Sequence, residues 1–415
     1  MSSRAGRHRP LRLVAALTVV AAVASPAAAS AAGDGNWWYE KYGVAEVQAD
    51  GWNGAGVKIA VIDAQINDQL PAFADASLSV APAICNDPAT TTEVNEDAIH
   101  GSTVAAILVG NGEGYGAIRG MAPAADVTFY AVGGGATVCR LQDDRSAWAV
   151  ALDDAVASGA DIVTMSKVSA DASDEDIESV ARALASGVIF VAGTPNYEGQ
   201  GALPAAMNGV VSVNAFDANG DLLVSTELGV PNVQPEVTVV APGVDVAIST
   251  WDREQIGSGS SYATPMVAGI LAAVKQKYPD ATANQLIQSL IRNTKTEDHP
   301  LERDTTGGYG YGPASLRHML AVDPTQYPDE NPLMDKSFGE PTAAQVAEAA
   351  SPAAMPTASA STAVADGDAE GGAASDAVPM GWIVGIGAAV LIGAIVVIVV
   401  VAARRRAQHT KGDPA

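Results

Sequence analysis

Four short runs of apolar, β-branched residues constrain this chain more than any other feature: GVKIAVID (56–63), ADIVTMS (160–166), GVIFVAG (187–193) and GVVSVNAF (209–216). Each is the length of a strand and too short for a helix, and each is apolar at consecutive positions instead of alternating. Runs of that kind are buried on both faces, as in parallel sheets covered by helices. The intervening sequence supplies the helices. RSAWAVALDDAVASG and DEDIESVARALASG have helical spacing, and each closes on a glycine where a helix cap is expected. Strand and helix alternate, so the expected fold class is α/β, a parallel sheet flanked by helices.

The ends of the chain are built differently. Arg4, Arg7, Arg9 and Arg12 precede an apolar run and then small residues, the pattern of a signal peptide over 1–32. Near the other end, 380–403 is an uncharged apolar stretch long enough to cross a bilayer, followed at once by Arg404, Arg405 and Arg406. We therefore expect one C-terminal transmembrane helix, a cytoplasmic tail over 404–415, and everything between the signal and the span outside the cytoplasm. Segment 33–51 reads as a short N-terminal extension packed on the main domain through Trp37, Trp38 and Tyr39, and leaves no room for a separate folding prodomain. Segment 323–379 is rich in Ala, Pro and acids, with few large apolar residues, and is expected to be a disordered linker.

With 47 acidic against 23 basic residues the formal charge is −24, which argues against a nucleic-acid partner. The two cysteines, Cys85 and Cys139, fall in the exported part, where a disulfide is the default expectation and a cysteine metal site is not. The glycine-rich GNGEGYG (110–116) follows a helical stretch, not a strand, so it reads as a loop and not a phosphate cradle. Asp174, Glu175 and Asp176 sit where a helix N-terminus favours acids, without the spacing of a calcium loop, and no metal site is expected.

Three local patterns carry chemistry. Asp63 ends the first strand, and groups at the carboxyl ends of strands line the sites of open α/β folds. His100, one of five histidines, opens HGSTVAAILVGNG. Ser261 lies in GSGSSYATPMVAG (257–269), where glycine and serine precede a helical run and Pro265 reads as a first-turn proline. A serine at a helix N-terminus meets unpaired backbone N–H groups and the positive end of the dipole, where an oxyanion is stabilised.

In chain order these are Asp, His and Ser, and with VID (61–63), HGSTVAAI (100–107) and GSSYATPMVAG (259–269) the chain resembles the subtilisin-type serine proteases. GYGYGPASL (308–316) resembles the segment that closes such domains, so the likeness covers 52–322. The layout of signal, peptidase domain and tail anchor is similar to that of mycosins, membrane-anchored relatives that serve type VII secretion. The resemblance implies peptide hydrolysis through an acyl-enzyme, with Ser261 as nucleophile, His100 as general base and Asp63 orienting it, and with no metal or organic cofactor. Partners implied are protein or peptide substrates, the membrane and type VII secretion components.

The chain also departs from the family pattern. Ala64 and Gln65 replace the small hydroxyl residue and glycine that usually follow the aspartate. Ser166, Lys167, Val168 and Ser169 replace a substrate-lining strand that usually reads serine, apolar residue, glycine, glycine, so Ser166 and Lys167 are candidate substrate-binding residues. The oxyanion asparagine is expected directly after Ala192-Gly193, but Thr194 and Pro195 come first and Asn196 third. Asn196 is our candidate donor. Thr194 is the alternative on strand register, and an impaired site, serving as a binding or scaffold subunit, is the rival reading.

Overall fold

The computed structural model describes residues 35–85, 87–134, 139–197, 202–225, 227–294, 299 and 301–351. The signal over 1–32 and the span and tail over 380–415 lie outside them. Among the described residues no helix is long and apolar enough to cross a membrane.

The N-terminal extension forms two short helices, α1 (Trp37–Lys41) and α2 (Val44–Ala49). β1 (Lys58–Asp63), β2 (Leu78–Val80), α3 (Glu96–Val109) and β3 (Asp126–Ala131) follow. Next come α4 (Ala147–Ala157), β4 (Ile162–Met165), α5 (Asp174–Ala185), β5 (Ile189–Gly193), β6 (Val211–Phe216) and β7 (Val239–Pro242). Beyond them lie the antiparallel pair β8 (Val246–Ala247) and β9 (Ile256–Gly257), then α6 (Ser260–Lys277), α7 (Ala283–Arg292), α8 (Leu316–Ala321) and α9 (Ala343–Ala349). All four expected strands form, within a parallel sheet of order β2-β3-β1-β4-β5-β6-β7. β2, β3 and β7 were not anticipated.

The continuous apolar strands are explained by a core on each face. Ile59 and Val61 of β1 point into the layer that holds α3, α6 and Trp38, while Ala60 and Ile62 point into the layer that holds α4 and α5. Both anticipated helices stop as expected, on Gly159 and Gly187 at φ +74 and +75, a left-handed turn glycine adopts without strain. α5 starts at a capping box in which Ser173 and Asp176 bond each other's backbone N–H. Asp176, fully buried, also accepts the Ser146 N–H and hydroxyl that begin α4, so its role is structural.

The extension packs as anticipated. Trp38 is buried, the Trp37 indole donates to Val244 O, and Gly35 O accepts from Ala247 N–H. The expectation for 323–379 needs correction over its first part. Residues up to 351 are described, and those after 322 are fastened to the main body. Leu333 is fully buried, and the Lys336 ammonium, 3% exposed, donates to Ala205 O, Val210 O and Ser212 Oγ. Composition misled because backbone hydrogen bonds, such as Asn208 N–H to Glu340 O and Gly209 N–H to Leu333 O, replace the apolar area a helix would need. Burial drives the Lys336 pKa down to about 7. Residues beyond 351 lie outside the described set.

Cys85 and Cys139 are joined in a disulfide across 54 positions of sequence, tying the region after β2 to the segment before α4. Free-thiol titration of the unfolded, unreduced protein should find neither cysteine. In a chain-entropy account, replacing both cysteines by serine should lower unfolding stability by about 4 kcal/mol, read as a lower midpoint in denaturant; an unchanged midpoint would show that the loop is held by other contacts.

Candidate active site

β1 lies at the point where strand order reverses, between β3 on one side and β4 on the other, so a crevice opens at its carboxyl end. Asp63 closes β1 and is fully buried. His100 was expected at a helix start; α3 instead begins at Glu96, capped by Asn95 Oδ1 accepting from Ala98 N–H, and His100 stands in the second turn. This position serves reach. The first turn spends its residues on the cap, and the next one faces β1.

His100 Nδ1 and Asp63 Oδ1 are 2.8 Å apart. With the proton on Nδ1, the ring donates to the carboxylate and Nε2 remains the basic nitrogen. Asp63 Oδ1 also accepts from Ala64 N–H at 2.7 Å, while Ala64 has no hydroxyl for Oδ2, which finds no partner among the described residues. The loop after Asp63 turns without the usual glycine because it is attached to α3. A Cβ on Gly101 would come 2.2 Å from Gln65 O and 2.9 Å from the Phe129 ring, and Asn67 N–H donates to Ser102 Oγ at 2.9 Å. The glycine that follows the histidine is therefore a requirement of close packing.

Burial lowers the His100 pKa, but the charge and hydrogen bond of Asp63 outweigh it; Lys167 lowers it again and Asp97 raises it, and the balance lies above the ordinary value. The side chain keeps 27% exposure, enough to be reached from the crevice.

α6 begins at Ser260, so Ser261 sits in its first turn, and Pro265, expected in that turn, falls in the second. A residue there would normally donate its N–H to the carbonyl four residues earlier, which is Ser261 O. Proline cannot, and the freed Ser261 O accepts from Ser166 Oγ at 2.8 Å instead. In return Ser261 Oγ donates to Ser166 O at 3.2 Å. Ser166, at the end of β4, thus clamps Ser261 from two sides. Among the described residues no hydrogen bond joins Ser261 Oγ to His100. The two elements are neighbours all the same: the rings of His100 and Tyr262 are 5.9 Å apart. Burial and then the Asp63 charge push the Tyr262 hydroxyl up to about 12, so it stays protonated.

The loop after β5 packs against the start of α6. Thr194 N–H and Oγ1 both donate to Val213 O, at 3.0 and 3.2 Å, and Thr194 O accepts from Ser260 Oγ at 2.5 Å. Thr194, 2% exposed, is therefore committed to the sheet and to α6. Asn232 Nδ2 donates to Pro195 O at 2.6 Å, which turns the chain so that Asn196 Oδ1 accepts from Ser260 N–H at 2.9 Å. The Asn196 amide lies against Gly259, where an added Cβ would be 3.4 Å from its nitrogen. Gly193 must be small for α6 to approach, since a Cβ there would stand 3.0 Å from Thr264 Oγ1.

The crevice thus gathers Asp63, His100, Ser261, Ser166, Lys167 and Asn196. Sequence reasoning gave no role to Ser260, Tyr262 or Asn232. Ser260 and Tyr262 flank Ser261 within the quoted motif and could have been found by asking what holds its first turn. No local pattern marks Asn232.

The Subtilase family profile matches residues 54–312. The chain belongs to the subtilase family. Among curated subtilases, the Minor extracellular protease Epr of Bacillus subtilis (strain 168) is 32% identical over 279 residues, covering 66% of this chain and 40% of that protein. Subtilisin DY of Bacillus licheniformis is 30% identical over 264 residues, covering 60% of this chain and 88% of that protein. The match thus spans less than half of the first of these relatives. Among solved structures, fervidolysin from Fervidobacterium pennivorans, a keratinolytic enzyme related to subtilisin, superposes with TM-score 0.55 at 22% identity, over 69% of this chain and 45% of that one. The prenylagaramide maturation protease PagA gives TM-score 0.53 at 20% identity, over 67% of this chain and 98% of that one. At such identity these two establish the subtilase fold alone, whereas the family profile makes the chain a relative of subtilisin-like serine peptidases.

Proposed function

We propose that the chain is a membrane-anchored, extracytoplasmic serine endopeptidase that hydrolyses peptide bonds through an acyl-enzyme. The observation that carries this is the 2.8 Å contact between Asp63 and His100 beside Ser261 in the first turn of α6. Ser261 Oγ attacks the scissile carbonyl after rotating from Ser166 O towards His100, which takes its proton on Nε2 and later returns it to the leaving amine. Asp63 holds the ring's tautomer and stabilises the imidazolium. The Ser261 N–H and the Asn196 amide face the developing oxyanion. Labelling of the purified protein with a fluorophosphonate, which captures only an activated serine, tests the assignment.

The charge balance at His100 predicts a pH dependence. Only the neutral ring accepts a proton, so kcat/KM should fall as the pH drops through a His100 pKa held above the ordinary value of 6.5. Asp63 is the group that raises this pKa, so Asp63→Asn should move the acid limb to lower pH along with a large loss of kcat. A limb that stays in place or moves up would show that another group sets the profile.

A second reading, a subtilase fold that binds without cleaving, is favoured by the Ser261 hydroxyl bonding Ser166 O instead of His100. Catalytic hydrogen bonds are often completed only when substrate is bound, so turnover decides between the two.

The membrane and secretion parts rest on sequence. The apolar run 380–403 with Arg404 to Arg406 supports an anchor with the catalytic domain outside, and the overall layout supports service to a type VII secretion machine. Protease added to intact protoplasts should digest all but the short tail. A protected catalytic domain would reverse the orientation.

A further inference from the structure

Lys167 stands out among the basic residues of this acidic protein. Lys41, Lys58, Lys275, Lys277 and Lys336 each donate a hydrogen bond to a backbone carbonyl. Lys167 is partly buried, yet among the described residues its ammonium makes neither a hydrogen bond nor an ion pair. A carboxylate partner was cheap to supply in a chain with 47 acidic residues. An ammonium with no ion partner among the described residues is open to pairing with an anion that enters.

Its place is also fixed. On one side Ser166 is clamped to Ser261, and on the other Ser169 exchanges both backbone hydrogen bonds with Leu203, at 2.8 and 3.1 Å. The stretch between these anchors therefore starts directly beside Ser261. The ammonium is close enough for its charge to act on the His100 ring, against Asp63 and more strongly than Asp97 does. Neither carboxylate takes it: Asp63 binds His100 and Ala64 through Oδ1, and among the described residues neither Asp63 nor Asp97 pairs with the Lys167 ammonium.

We propose that Lys167 is a specificity-determining residue that selects peptide substrates bearing an acidic side chain close to the scissile bond. This rests on the peptidase reading of the same site. It predicts a local preference opposite to the one the protein's overall negative charge would produce, because a nearby cation outweighs distant, screened carboxylates.

The test compares wild type and Lys167→Glu on fluorogenic peptides that differ at one position at a time by Glu, Gln or Lys. At one position near the cleaved bond, wild type should prefer Glu over Gln by about tenfold in kcat/KM at low salt, with the ratio shrinking as salt is added. Lys167→Glu should invert the order in favour of Lys. Each ratio is taken within one protein, so partial misfolding of the variant cancels. Ser261-dependent turnover with a Glu to Gln ratio unmoved by Lys167→Glu would overturn this proposal and leave the peptidase reading standing. Absence of turnover and of Ser261-dependent labelling would overturn the peptidase reading. The same peptides titrated into Ser261→Ala then decide: tighter binding of the Glu peptide, lost in the Lys167→Glu double variant, supports acidic recognition, and equal binding of Glu and Gln peptides overturns it.

Discussion

Ser261→Ala should lower kcat/KM on any cleaved peptide by about a millionfold and abolish labelling by a fluorophosphonate, a magnitude carried over from subtilisin itself. The reason is that Ser261 combines the first turn of α6 with a neighbouring imidazole that is held in one tautomer by a buried carboxylate. Ser260 is the competing hydroxyl, and the geometry removes it: its Oγ is 2.5 Å from Thr194 O and it is 2% exposed, so it is spent on holding the loop. The protein should still fold, because the alanine loses only the 3.2 Å contact to Ser166 O, while the Ser166 hydroxyl keeps its bond to the backbone of residue 261. Labelling of the alanine variant equal to wild type would show that the activated serine is another residue. An unlabelled wild type with no turnover would favour the binding role.

Asn196→Ala should lower kcat by about a hundredfold to a thousandfold with little change in KM, since the amide acts on charge that appears only in the transition state. Thr194→Val should have the smaller effect on kcat. Strand register places Thr194 where the family has its asparagine, but both of its hydrogen-bond donors end on Val213 O. Asn196 is brought to the site because Pro195 and the Asn232 amide turn the loop, and its own oxygen is held by the Ser260 N–H, which directs the amide nitrogen to the side of Gly259. A harmless Asn196→Ala together with a crippling Thr194→Val would mean that the loop rearranges when substrate binds. Asn232→Ala offers a check on the account: among the described residues its side chain bonds only Pro195 O and Gln234, yet its loss should remove part of the same kcat by freeing the turn.

The elements legible in the sequence are those whose cause is local. β1, β4, β5 and β6 are runs of consecutive apolar residues, and a run buried on both faces announces itself without a partner. β2 and β3 were missed because LSV is only three residues and DVTFYA mixes polar with apolar positions. β7 was missed although its four residues are all buried, since a run that brief has no distinctive period. Pro265 was placed one turn too early because the sequence does not mark where a helix begins when glycine and serine precede it; the start at Ser260 is set by Asn196 Oδ1 receiving its N–H.

The same division holds at the site. Asp63, His100 and Ser261 could be named from the sequence because each stands in its own short motif, and the motifs record the local packing each group needs, as Gly101 does for His100 and Gly193 for α6. The sequence by itself determined the fold class, singled out three candidate groups, and made a bond between the two cysteines the default expectation. Only the tertiary structure decided which loop residue receives the first N–H of α6, that Ser166 takes the carbonyl released by Pro265, that Lys167 has no counter-ion among the described residues, and that the chain after 322 is fastened to the body. Each of these is a hydrogen bond made or withheld between residues tens of positions apart, and a periodicity or a motif carries no record of a partner that distant.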